Sequence, residues 1–63
     1  MTVKEAREKK GITQVELAVA TGVGLGTIQR IENGKIEQAL VGNVLKICKA
    51  LDCDFSSLFA NND

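Results

Sequence analysis

Sixty-three residues, eight of them basic and eight acidic for a net charge of zero, make room for one small domain over residues 1–63 that buries only about 60% of its extended surface. No apolar run approaches the roughly 20 residues of a membrane span. Met1 leads straight into charged residues rather than a signal peptide, so the expectation is a cytoplasmic protein without membrane contact. Neutrality weighs mildly against nucleic acid, whose binders are usually basic, unless charge is placed locally or summed over two subunits.

The first helix is expected from about Thr2 to Lys10. Thr2 with Glu5 has capping-box spacing, Gly11 suits the stop, and Val3 and Ala6 give a thin apolar stripe. The second runs from about Gln14 to Ala20 or Thr21. Thr13 and Glu16 repeat the box, Val15, Leu17 and Ala18 supply apolar contact, and Gly22 provides a left-handed turn residue. The third spans about Leu25 to Asn33, with Ile28 and Ile31 on one side and Gly26, Gln29, Arg30 and Asn33 opposite. Gly34 ends it; Asn33-Gly34 as a hairpin turn is the alternative, but the flanks follow helical rather than strand period. On the fourth helix Val41, Val44, Ile47, Cys48 and Leu51 form a continuous core face, while Gly42 and Asn43 weaken its first turn. Asp54 caps a last short helix with Phe55, Leu58 and Phe59 inward, and residues 60–63 fray. The expected fold is all-α, a compact five-helix bundle.

The segment from Thr13 to Gly34 is a short helix, a glycine turn and a second short helix. Two helices joined so closely form an angled pair with one face left outward, the geometry by which small proteins seat a helix in the DNA major groove. Other chemistry finds little footing. Gly22, Gly24 and Gly26 approach a phosphate-loop pattern, but Thr27 holds the place of its last glycine, no strand precedes and no Gly-Lys-Ser/Thr follows. Cys48 and Cys53 without any histidine cannot complete a zinc site. Cys48 is read as a small apolar core residue. Cys53, next to the Asp54 cap, is read as partly exposed; no disulfide is expected in a cytoplasmic chain, and redox sensing stays an open alternative without support in the sequence. No nucleophile or acid–base pair stands in a recognised setting, so no enzyme, cofactor, metal or small-molecule substrate is expected.

The residues ITQVELAVATGV, TIQRIENGK and VLKICKALDCDFSSLF resemble the Cro/phage-repressor type of helix-turn-helix domain over about Arg7 to Phe59. The resemblance implies a five-helix fold and operator DNA bound as a symmetric homodimer. It places Gln14 at the start of the second helix, where side chain and backbone N–H meet a phosphate. It places Gly24, Leu25, Gly26, Thr27, Gln29 and Arg30 at positions facing bases or the adjacent backbone, and Asn33 and Lys35 in a phosphate-touching loop. Arg7 and Glu32 match a structural ion pair. Arg30 is the sharpest candidate for base readout, since arginine grips guanine O6 and N7 together; the plainer alternative is a solvated surface arginine. Lys35 as a hydrated loop lysine, and Lys9 and Lys10 as favourable charges at a helix C-terminus, are likewise the plainer readings.

Three departures bear on function. Gly24, Leu25 and Gly26 stand where relatives often carry polar side chains; Glu37 and Gln38 follow Lys35 where positive charge is common; the total charge is zero. Weaker or less selective DNA binding than in well-known relatives is the expectation. The leading functional reading is a sequence-specific DNA-binding transcriptional regulator, commonly a repressor. Its rival is a protein-interaction module on the same fold, such as an antitoxin-like partner.

Overall fold

The computed structural model describes residues 1–59. Four α-helices and no strand occur among them: α1 (Val3–Lys9), α2 (Gln14–Thr21), α3 (Leu25–Arg30) and α4 (Val41–Leu51). The two capping boxes start α1 and α2. In each, a threonine hydroxyl accepts from the backbone N–H of the glutamate three residues on, and that glutamate accepts from the threonine N–H, all at 2.8–3.1 Å. Two orphan donors at each helix start are thereby satisfied. Gly22, at φ 75°, closes α2 in the left-handed conformation and turns the chain toward α3.

The fifth helix of the sequence reading is not formed as an α-helix. Ser56–Leu58 make a single tight 3-10 turn. Asp54 does not cap it by side chain: its carboxylate accepts from the Ser56 hydroxyl at 2.6 Å, while its carbonyl takes the Ser57 N–H. Three residues are too few to sustain α-type bonding. Leu58 is nonetheless buried, and Phe55 and Phe59 pack half-buried with ring centroids 5.0 Å apart. The expected fraying of residues 60–63 lies outside the described residues.

The third helix also ends earlier than its pattern suggests. Helix α3 passes at Arg30 into a wide turn over Ile31–Lys35, in which Ile31 still has helical dihedrals (φ −60°, ψ −45°). Asn33 (φ −88°, ψ 18°) and Gly34 (φ 92°) leave the helical region, so Asn33 belongs to the turn. A short 3-10 turn, Ile36–Gln38, leads on to α4.

The core is aliphatic. Leu17, Ile28 and Ile47 are fully buried and Val44 nearly so, with Val3, Ala6, Val23, Ile31, Cys48, Leu51 and Leu58 around them. Burying each large aliphatic side chain contributes about 1.5–3 kcal/mol. Two expected core residues are not in it. Val15 is 57% exposed and Val41 61%. The stripe that α2 turns inward is Gln14, Leu17, Ala18 and Thr21, spaced i, i+3, i+4 and i+7, which leaves Val15 and Val19 outside. Its polar ends are satisfied: Gln14 donates to Glu32, and Thr21 donates to the Leu17 carbonyl and accepts from the Val23 N–H. Val41 lies on the α4 core stripe, but among the described residues its turn stays open to solvent, and burial begins at Val44.

Candidate nucleic-acid interface

The α2–turn–α3 unit projects one surface outward because its other side is pinned. Ile28 and Ile31 are buried on the inner side of α3 and its extension, and Val23 anchors the turn at 4% exposure. On the outside Gly26, Gln29 and Arg30 are exposed, Thr27 is half-buried and Leu25 is at the margin of exposure. Gly24 is the helix N-cap, in extended conformation and without a side chain to cap it. A Cβ added at Gly24 would meet only the Thr27 hydroxyl at 3.9 Å, and one at Gly26 would meet nothing. The start of α3 therefore presents bare backbone, open to close approach by a partner.

An ion pair fixes the far end of this unit. Arg7 on α1 donates from Nε to Glu32 Oε2 at 2.8 Å and from Nη2 to Glu32 Oε1 at 3.1 Å, a bidentate fork. The remaining Arg7 nitrogen, Nη1, donates to the Ile12 carbonyl at 2.8 Å. Gln14 donates from its side-chain amide to Glu32 Oε1 at 3.0 Å. Burial alone would raise the Glu32 pKa, but the hydrogen bonds from Arg7 and Gln14 outweigh it and hold the carboxyl below its ordinary value. The bond to Glu32 raises Arg7 further above its already high value. Three segments (α1, the start of α2 and the turn after α3) thus meet at one carboxylate.

The remaining sequence-predicted residues divide into two groups. Thr27, Arg30 and Lys35 share a surface cleft of about 230 Å³ between α3 and the approach to α4. Leu25, Gly26 and Gly24 sit at the opposite, N-terminal end of α3, and Asn33 is exposed in the wide turn. Gln14 is only half-exposed, and one of its amide hydrogens is engaged inward. Gln38 and Asn43 also line the cleft; Gln38 lies in the short turn before α4 and Asn43 off the apolar stripe in the first turn of α4, and neither is singled out as a site residue by the sequence. Arg30 and Lys35 form no salt bridge among the described residues, so their charges are available to an incoming anion.

This arrangement is a short helix with a clear outer side, seated by its own apolar inner side and tied to its neighbours by an ion pair. The helix-turn-helix family model matches residues 3–58. The chain belongs to the Cro/C1-type helix-turn-helix family. As a member of that family it carries a DNA-binding regulatory domain, in which α2 and α3 are the paired helices. No curated protein and no solved structure matches the chain at significant similarity. No helix among the described residues of this helix-turn-helix domain is long and apolar enough to cross a membrane.

Proposed function

We propose that the protein is a sequence-specific transcriptional regulator, a cytoplasmic repressor in which α3 enters the major groove of operator DNA. The supporting observation is the exposed Gly26–Gln29–Arg30 side of α3 over a buried Ile28–Ile31 side, braced by Arg7 and Glu32. In this reading Arg30 grips guanine, Gln29 reads adenine and Leu25 touches a thymine methyl. Gln14, Thr27, Asn33 and Lys35 meet the adjacent backbone, and Gly24 and Gly26 allow the helix start to approach it closely. One copy offers little net charge, so two copies on a two-fold operator share the binding, with half-sites about one helical turn apart. Exposed Leu40, which lines the Arg30–Lys35 cleft, and exposed Val41 and Leu45 on α4 supply apolar surface for that pairing.

The rival reading is a protein-interaction module, such as an antitoxin-like partner. The same exposed apolar residues, with Val15 and Val19 on α2, favour it. Selection from random duplexes at low salt separates the two. A regulator enriches one half-site, and its affinity drops steeply between low and moderate salt. Arg30→Ala then relaxes the base preference at a cost of about 1–3 kcal/mol on the correct site. If no duplex is enriched even at low salt while a protein partner co-purifies, the interaction module is the correct reading. Unchanged preference in Arg30→Ala removes Arg30 from the base readers.

A further inference from the structure

The C-terminal end of α4 holds two thiols that the DNA-binding reading does not use. Asp52 adopts the left-handed conformation there (φ 54°, ψ 44°), the one non-glycine residue with positive φ among those described. The chain reverses at Asp52, and the Cys53 N–H donates to the Cys48 carbonyl at 3.1 Å. The Asp52 N–H donates to the same carbonyl, so this left-handed cap adds the six-to-one bond of a Schellman motif, an arrangement in which the side chains of the two residues so bonded frequently meet. Here both are cysteines, and both are free. Fixed covalent geometry on either side of that hydrogen bond keeps their Cα atoms within about 7 Å, the range that a disulfide spans. Both thiols line one shallow surface recess, beside Lys49 and Asp52. Cys53 is half-buried and reachable, whereas Cys48 is 7% exposed in the core.

We infer that Cys48 and Cys53 form an oxidisable dithiol, a modification site whose reaction partner is a low-molecular-weight disulfide and whose product is a bond across the α4 cap. The Cys53 thiolate attacks one sulfur of the oxidant, whose S–S bond breaks to release one thiolate and leave a mixed disulfide on Cys53. Cys48 then gives up its proton and attacks the Cys53 sulfur, expelling the second thiol. The two cysteines lose two electrons and two protons; the small disulfide is reduced to two thiols. The roles are unequal for a physical reason. Burial, joined by the neighbouring Cys53 thiol and by Asp54, pushes the Cys48 thiol up to about 11, so the accessible Cys53 reacts first and Cys48 resolves it. In reducing compartments such bonds are transient and signal redox state. This site is independent of nucleic-acid binding.

The test equilibrates the full chain with defined ratios of oxidised and reduced glutathione. Free thiols are then quenched by alkylation, and intact mass is read with and without urea. The expected product in the folded protein is a monomer that has lost two hydrogens, takes up no alkylating reagent and keeps its helical circular dichroism. Because the folded cap holds the sulfurs together, the native chain should hold the bond at more reducing ratios than the urea-unfolded chain. Cys48→Ala should stop at the mixed disulfide with glutathione on Cys53, whereas Cys53→Ala should keep its buried Cys48 as a free thiol while folded. Equal or more oxidising poise in the native chain would overturn the inference. So would a bond formed only between molecules, or one formed only with loss of helicity. The wild-type comparison stands even where the Cys48 variant fails to fold.

Discussion

Replacing Glu32 by glutamine tests whether the Arg7–Glu32 pair positions α3. The exchange keeps volume and one carbonyl acceptor. It removes the negative charge facing a guanidinium whose side chain is only 11% exposed, and it turns an NH2 group toward a site ringed by donors, Arg7 Nε and Nη2 and Gln14 Nε2. At least one of the three hydrogen bonds becomes a donor–donor clash. Breaking a buried pair from one side costs about 3–5 kcal/mol. Arg7 keeps the Ile12 carbonyl and some solvent, so the expected cost is about 2–4 kcal/mol. A chain of this length holds only roughly 3–9 kcal/mol in total, so the variant should melt roughly 10–25 °C lower. Urea denaturation followed by circular dichroism should show a reduced midpoint with an unchanged slope. Substituting both partners, Arg7→Met with Glu32→Met, should recover most of the loss, because no charge is then left buried alone. A Glu32→Gln cost below about 0.5 kcal/mol, the range of ordinary surface changes, would refute the idea that this pair holds α1, α2 and the turn after α3 together.

The same carboxylate sets an acid limit. Glu32 in the folded chain titrates below its ordinary value of 4.5, so its stabilising contribution is complete above that value and is lost as pH falls through the lower folded value. Urea midpoints measured across this acid range should decline in the wild type and stay flatter in Glu32→Gln. Gly22→Ala should cost about 1–2 kcal/mol, because φ is 75° while nothing lies within 4 Å of the new Cβ, making the penalty purely conformational. Gly26→Ala, at an open helical position, should instead gain up to about 1 kcal/mol in the same melt. Gln14→Ala should weaken all duplexes about equally and lower stability by about 1 kcal/mol, since Glu32 loses a donor; selective loss at one operator position would contradict the phosphate role.

Local chemistry made much of this fold legible before any coordinates. Each capping box is a spacing of three residues, and Gly22 announces its own turn, so the starts of α1 and α2 and the stop of α2 could be read directly. Ile28 and Ile31 likewise declare which side of α3 is inward. The errors arose where a third element decides the matter. Val41 carries the right periodicity, but burial needs a neighbour, and among the described residues that turn stays open to solvent. Val15 is apolar and outside, while Gln14 and Thr21 are polar and turned inward, because hydrogen-bond partners at Glu32, Leu17 and Val23 make their burial affordable. The end of α3 depends on how Gly34 rewinds the chain, which composition does not specify. In the candidate site, Arg30 and Lys35 were visible as single cations; Gln38 and Asn43 beside them became visible only through the cleft they share.

The vacant space at Gly24 and Gly26 has a consequence for how such a domain changes over generations. The centre of the core, Leu17, Ile28 and Ile47, is fully buried, whereas an added Cβ meets nothing at Gly26 and only the Thr27 hydroxyl at Gly24. New side chains can therefore be installed at the leading edge of α3 without disturbing the interior, and at Gly26 with a gain in helix propensity. If α3 reads DNA as proposed, choice of target and ability to fold rest on separate sets of residues, and a duplicated copy can acquire a different target while its scaffold stays the same.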